Sequence, residues 1–286
     1  MLVKKSCTVP LLKRRRLLPH DGDYMDRDNK IAVLVDAENV SEKYAEDLLD
    51  EVTNYGVPTY KRVYGDWTKP QLSNWKNSLL TYSFTPIQQY SYTSGKNSSD
   101  SAMIIDAMDI LYSGKVTGFC LVTSDSDFTR LAMRLREAGM MVLGMGEKKT
   151  PQPFIKACEK FIYLEVLKKA EDKSEEKVES KSEKQEKEDT VKKEKKSAEK
   201  PAVSVVPLKK VRAAIKDIVN SIGNDEGWAY LADVGNNLSK RMPDFDTRNY
   251  GYSKLIDLVS TFSGFEISRI PVGEGGKVNK ILIKIK

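Results

Sequence analysis

The chain has 286 residues, 31% of them charged, with 47 Lys and Arg against 41 Asp and Glu for a net charge of +6. That length has room for two domains, the charge density leaves part of the chain unpacked, and the positive balance permits a polyanionic partner. No apolar stretch nears the roughly 20 residues of a bilayer span. The three cysteines, Cys7, Cys120 and Cys158, are too scattered for a disulfide framework, and a single histidine, His20, excludes a Ser-His-Asp triad, a Cys-His dyad or a His-rich zinc site. Acid–base work would fall to carboxylates, lysines, tyrosines or metal-bound water, in a reducing, cytoplasmic setting.

Residues 1–28 are polar and basic, without periodicity and without the apolar core of a signal peptide, and read as a disordered tail. Met25 stands just ahead of the first strand and is an alternative start. From there to about residue 168, apolar runs alternate with amphipathic ones. Strands are expected at 31–36, 59–66, 84–92, 118–123, 140–145 and 161–165, and helices at 41–55, 69–81, 98–113, 127–138 and 151–158. This alternation predicts an α/β domain over 29–168, Rossmann-like, with a parallel sheet covered by helices on both faces. Residues 169–203 are dominated by Lys and Glu, contain no aromatic, and read as a charged linker. A second domain follows over 204–286: helices in "LKKVRAAIKDIVNSI", "AYLADVGNNLSKRM" and "TRNYGYSKLIDLVS", then strands in "FEISRI" and "KVNKILIKI". Three helices and a hairpin make a small winged-helix pattern, a common nucleic-acid-binding shape.

The acids of the first domain are placed where chemistry is expected. In open parallel sheets, ligands bind beyond the carboxyl ends of the strands. Asp36 ends "IAVLVD", and Asp125 and Asp127 follow "GFCLVTS", so two strands deliver carboxylates to one rim. Asp100 falls in the first turn of "SSDSAMIIDAMDILYS", on the face of Met103, Ile104 and Ala107, and points inward at the same rim. Four acids there would repel one another unless a cation sat among them. Oxygen ligands without His or Cys select Mg²⁺ or Mn²⁺. Asp36, Asp100 and Asp125 are expected as direct ligands, with Asp127 either capping the following helix or binding through water. Asn39, Lys96, Asp106, Thr123 and Ser124 are secondary candidates for orienting ligands or meeting a phosphate, against simple capping or solvation for each. Asp66 reads as a turn acid and Asp109 as solvent-exposed.

"VLVDAENV", "KNSSDSAMIIDAMDILY" and "LVTSDSDFTRLAMRLREAGMMVLGMG", in that order, resemble the NYN family of PIN-like, LabA-like nucleases over about residues 30–166. "FDTRNYGYSKLIDLVSTFSGFEI" resembles the OST-HTH or LOTUS domain, a winged-helix RNA-binding module. The resemblance implies a ribonuclease, a metal-dependent hydrolase whose catalytic acids map onto Asp36, Asp100, Asp125 and Asp127. Family members often carry Gly between the last two acids, where this chain has Ser126.

The expected function is therefore an endoribonuclease that cleaves RNA with a metal-activated water and no covalent intermediate. The alternatives are a non-cleaving RNA-binding regulatory adaptor and a Toprim-like phosphotransfer enzyme; the absence of a glutamate motif ahead of "DSD" argues against the latter. Single-stranded RNA is the expected partner. Lys209, Lys210, Arg212, Lys240, Arg241, Arg248 and Lys254 are candidates for its phosphates, while Trp228, Tyr230, Tyr250, Tyr252, Phe262 and Phe265 are expected mainly in the core. A protein partner for the C-terminal domain and homo-oligomerisation stay open; a membrane is not expected.

Overall fold

The computed structural model describes residues 29–90, 98–168, 206–272 and 278–286. The basic start with His20, Lys96 and the charged linker lie outside the described residues. Six strands, β1 (Lys30–Asp36), β2 (Val57–Gly65), β3 (Thr85–Gln88), β4 (Gly118–Val122), β5 (Met141–Gly146) and β6 (Lys160–Tyr163), form one parallel sheet in the order β3-β2-β1-β4-β5-β6. The helices between and after them are α1 (Ala45–Thr53), α2 (Trp75–Thr81), α3 (Ser98–Ser113), α4 (Thr129–Glu137), α5 (Gln152–Ala157) and α6 (Leu164–Lys168).

The strands read as near-continuous apolar runs because both faces are covered. Side chains alternate between the two. Ala32, Leu34, Phe119 and Leu121 pack with Met103 and Ala107 of α3, Leu131 and Leu135 of α4 and Phe154 of α5. Ile31, Val33, Val35, Cys120 and Val122 pack with Leu48 and Val52 of α1, Trp75 of α2 and Leu167 of α6. Fully burying a side chain such as Leu135 contributes about 1.5–3 kcal/mol. Packing is tight at Gly144 of β5, where a Cβ would sit 2.5 Å from Cys158 Sγ and 2.7 Å from the Phe161 ring, both fully buried. Gly144→Ala is therefore expected to cost about 1–3 kcal/mol through overpacking, seen as a melting temperature several degrees lower. An unchanged melting temperature would show that Phe161 can move aside.

The C-terminal domain consists of α7 (Leu208–Ile222), β7 (Trp228–Tyr230), α8 (Leu231–Arg241), α9 (Leu255–Ser260), β8 (Phe265–Val272) and β9 (Val278–Ile285). Its antiparallel sheet has the order β7-β9-β8. The helix expected from "TRNYGYSKLIDLVS" is two pieces. A 3-10 turn over Thr247–Tyr250 stops at Gly251, whose φ of 84° lies in the left-handed region that favours glycine, and α9 starts afresh at Leu255. Phe265 is buried and Tyr250, Tyr252 and Phe262 pack against the same core, whereas Tyr230 is 46% exposed beneath the Lys280 ammonium.

The two domains touch along the open edge of β6. The Phe161 N–H donates to the Pro243 carbonyl at 2.8 Å, supplying a partner to an edge strand that would otherwise expose it. Tyr163 donates its hydroxyl to Asp244 Oδ2 at 3.2 Å. Arg248 extends its guanidinium to Glu51 of α1, with Nη1–Oε2 at 2.8 Å and Nη2–Oε1 at 3.1 Å, while Asp246 holds the other side of the fork.

Candidate metal centre

The strand order reverses between β1 and β4, which pair in register from Ile31 with Gly118 to Val35 with Val122. This is the switch point at which an open α/β sheet forms a crevice. Asp36 closes β1, and the Thr123–Ser124–Asp125 stretch leaves β4 beside it.

Asp100, Asp125 and Asp127 each offer a carboxylate oxygen within 4.8 Å of the others. Their burial is graded: Asp100 is buried, Asp125 half-buried and Asp127 exposed. Asp125 is also the N-cap of the 3-10 turn Ser126–Phe128, accepting the Asp127 N–H through Oδ1 at 2.9 Å. Capping and convergence thus coexist. The cap falls to Asp125 rather than to Asp127, and it uses one of the two carboxylate oxygens, so Asp127 projects toward the other acids from the first turn. Asp100 arrives from the first turn of α3, whose Met103 and Ala107 are buried against the sheet one turn further on. Burial, followed by the charges of Asp36, Asp125, Asp127 and Glu38, pushes the Asp100 carboxyl up to about 6.

Asp36 belongs to the same acidic crevice but stands outside the close trio. Its Oδ1 accepts the N–H groups of Glu38 at 3.1 Å and Asn39 at 3.3 Å, and its Oδ2 accepts Asn39 Nδ2 at 2.7 Å and Thr123 Oγ1 at 2.9 Å. A carboxylate has about four acceptor sites, and these donors occupy them. Burial raises its pKa, and those hydrogen bonds oppose the rise. Asp36, expected as a direct ligand, here uses these oxygens to tie β1 to β4 beside the trio.

The secondary candidates separate into distinct roles. Asn39 and Thr123 brace Asp36, and Thr123 Oγ1 also accepts the Asp125 N–H at 3.1 Å. Ser124 accepts the Glu147 N–H at 2.9 Å, fastening the loop after β5. Asp106 binds Arg62 and Tyr64 of β2, anchoring α3 to the sheet. Glu38 was not anticipated. It accepts from Ser99 Oγ at 2.6 Å and pairs with Lys69 Nζ at 2.5 Å, fastening the turn after β1 to the residue before Asp100. Its position two residues after Asp36 in "DAENV" was the only signal.

Of the basic residues expected to meet RNA, Lys209, Lys210, Lys240, Arg241 and Lys254 are exposed. Arg212 lays its guanidinium over Gly264, where Nη2 lies 2.7 Å from the place a Cβ would occupy. Arg248 is the exception: its fork is spent on Glu51 and Asp246 rather than presented to a phosphate.

The chemistry of the trio fits a hard divalent cation. All its donors are oxygens, and a carboxyl raised by burial and then by its neighbours' charge is one that an intervening cation would relieve. Among the described residues, no helix is long and apolar enough to cross a membrane. Residues 30–165 match the family model of the NYN domain, and residues 207–276 match that of the OST-HTH/LOTUS domain. No curated protein matches the chain. Among the solved structures similar to parts of it are the following two. One is a crystal structure of a protein of unknown function from Vibrio parahaemolyticus, 22% identical with a TM-score of 0.41, covering 48% of this chain and 93% of that one. The other is a solution structure of an uncharacterized protein from Nitrosomonas europaea, 34% identical with a TM-score of 0.23, covering 33% of this chain and 92% of that one. The chain joins an NYN domain of the PIN-like nuclease superfamily, residues 30–165, to an OST-HTH/LOTUS domain, residues 207–276.

Proposed function

We propose that the protein is an endoribonuclease dependent on Mg²⁺ or Mn²⁺, acting on single-stranded RNA in the cytoplasm. The observation that carries this reading is the convergence of Asp100, Asp125 and Asp127 within 4.8 Å at the switch point of an NYN sheet. These three residues would hold the ion, with Asp36 beside them in the same crevice. When bound, such an ion supplies activation of the attacking water and neutralises charge developing on the phosphodiester.

The residues around the trio keep it in place. Asp125 is oriented by its own cap and by the Thr123 hydroxyl that receives its N–H. The first turn of α3 is held by Ser99 through Glu38, while the helix dipole favours the ionised form of Asp100. Without a cation the crevice repels phosphates, so RNA affinity has to come from elsewhere, and the OST-HTH/LOTUS domain is suited to supply it. The free thiols Cys120 and Cys158, both buried, suit a reducing compartment.

Incubation of end-labelled single-stranded RNA with the full chain is expected to give cleavage in Mn²⁺ or Mg²⁺ and none in EDTA. Retention of the RNA without cleavage in either metal would replace this reading with that of an RNA-binding adaptor.

A further inference from the structure

A cleft of about 1290 Å³ lies between the two domains. Its NYN wall carries Arg136, Lys156 and Lys160, and its OST-HTH/LOTUS wall carries Lys210, Lys240 and Arg241. Lys160 is half-buried and the other five cations are exposed. Only two carboxylates line the same cleft, Glu159 and Asp244. Asp244 is buried and accepts the Tyr163 hydroxyl, which leaves Glu159 as the exposed negative charge among these lining residues.

Cations gathered from two domains across an open cleft repel one another unless an anion passes between them. The docking contacts hold the walls in this arrangement: Arg248 grips Glu51, and Phe161 N–H meets the Pro243 carbonyl. The cleft is larger than the roughly 300–1,000 Å³ of small-molecule sites, and its charge is spread along both walls instead of focused on one point. A chain of phosphates fits such a distribution better than a single phosphate group does.

The cleft is also separate from the acidic crevice. Thr117, Gly139 and Met141, at the amino ends of β4 and β5, line it, whereas the acids gather beyond the carboxyl ends of β1 and β4. The six residues of β5 put about 20 Å between the two ends of the sheet.

We propose that this interdomain cleft is a composite binding site for the phosphate backbone of the RNA, with each domain supplying one wall. The proposal rests on the RNA-directed reading above. It assigns Arg136, Lys156 and Lys160 of the nuclease domain to RNA binding, and it makes the docked pair of domains the binding unit. A strand anchored there is held at the end of the sheet away from the carboxylates of Asp100, Asp125 and Asp127.

The test is binding of a fluorescein-labelled uridine oligonucleotide to the full chain in EDTA, across a series of salt concentrations. Lys156→Gln on one wall and Lys240→Gln on the other are each expected to weaken binding several-fold at low salt. Each should also lower the slope of log affinity against log salt by about 0.7, the value for one phosphate contact on a single strand. The double variant should lose about twice that slope. A response to only one of the two substitutions, or to neither, overturns the composite site. Displacement of the oligonucleotide by polyglutamate as readily as by unlabelled RNA at equal ionic strength overturns the nucleic-acid assignment in favour of an acidic protein. Because cleavage plays no part in EDTA, a wild-type chain that binds through both walls yet cuts no RNA in Mn²⁺ upholds the cleft and overturns the nuclease reading alone.

Discussion

Asp125→Asn is expected to lower the rate of RNA cleavage by about a hundredfold or more while leaving the fold intact. The amide oxygen of asparagine can still accept the Asp127 N–H, so the cap on the 3-10 turn survives the substitution. What is lost is one negative charge from a cluster in which Asp36, Asp125, Asp127 and Glu38 all bear on Asp100. Without metal, that loss should raise the melting temperature at pH 7 by relieving repulsion. The sign follows from Asp100. Its folded pKa of about 6 is above the ordinary carboxylate value, so its ionisation costs stability as pH rises through that point. The gain from Asp125→Asn should accordingly shrink as pH falls below about 6, where Asp100 takes up a proton. Near-wild-type turnover would mean that Asp125 serves only as a cap.

A large effect on stability is expected from Arg248→Ala. The guanidinium is held by both oxygens of Glu51 and both oxygens of Asp246. Glu51 is only 7% exposed, and removing its charged partner leaves this carboxylate at the domain boundary with the Tyr55 hydroxyl at 3.3 Å. Stranding one member of a fully buried pair costs about 3–5 kcal/mol; with the Arg248 side chain 36% exposed, about 2 kcal/mol is expected here. The loss should appear as separate melting of the two domains, since this contact joins α1 to the OST-HTH/LOTUS domain. Arg248→Lys should recover little, because a lysine lacks the fork that spans two carboxylates. Glu51→Gln combined with Arg248→Ala should be milder than Arg248→Ala alone. A single unshifted transition in Arg248→Ala would show that the clamp does not hold the domains together.

Local sequence pattern revealed much of this molecule, and the failures share a cause. Helix α3 spans 98–113 as its apolar stripe indicates, and all six strands of the parallel sheet occur where apolar runs stand between turn signals. The three-residue strand β7 escaped notice because "WAY" is too short to show a period, and it is a strand only by pairing with β9. The break in "TRNYGYSKLIDLVS" was visible in Gly251 but was outweighed by the helical spacing around it. Within the crevice, the identity of the acids and the rim they share could be read from strand ends. Which of their oxygens are already occupied could not, because the Thr123 hydroxyl reaches Asp36 from 87 positions away. Arg248 illustrates the same limit: one more cation in a basic segment by sequence, it binds a glutamate 197 positions earlier.

Titration with Mn²⁺ followed by electron paramagnetic resonance measures directly whether Asp100, Asp125 and Asp127 hold a divalent ion. The wild-type chain is expected to take up Mn²⁺ saturably. Asp125→Asn should bind it at least about tenfold more weakly, as expected for loss of a charged ligand. Asp109→Asn, an exposed acid further along α3, should bind as the wild type does. Equal Mn²⁺ affinity in the wild type and Asp125→Asn would show that these acids do not hold the ion.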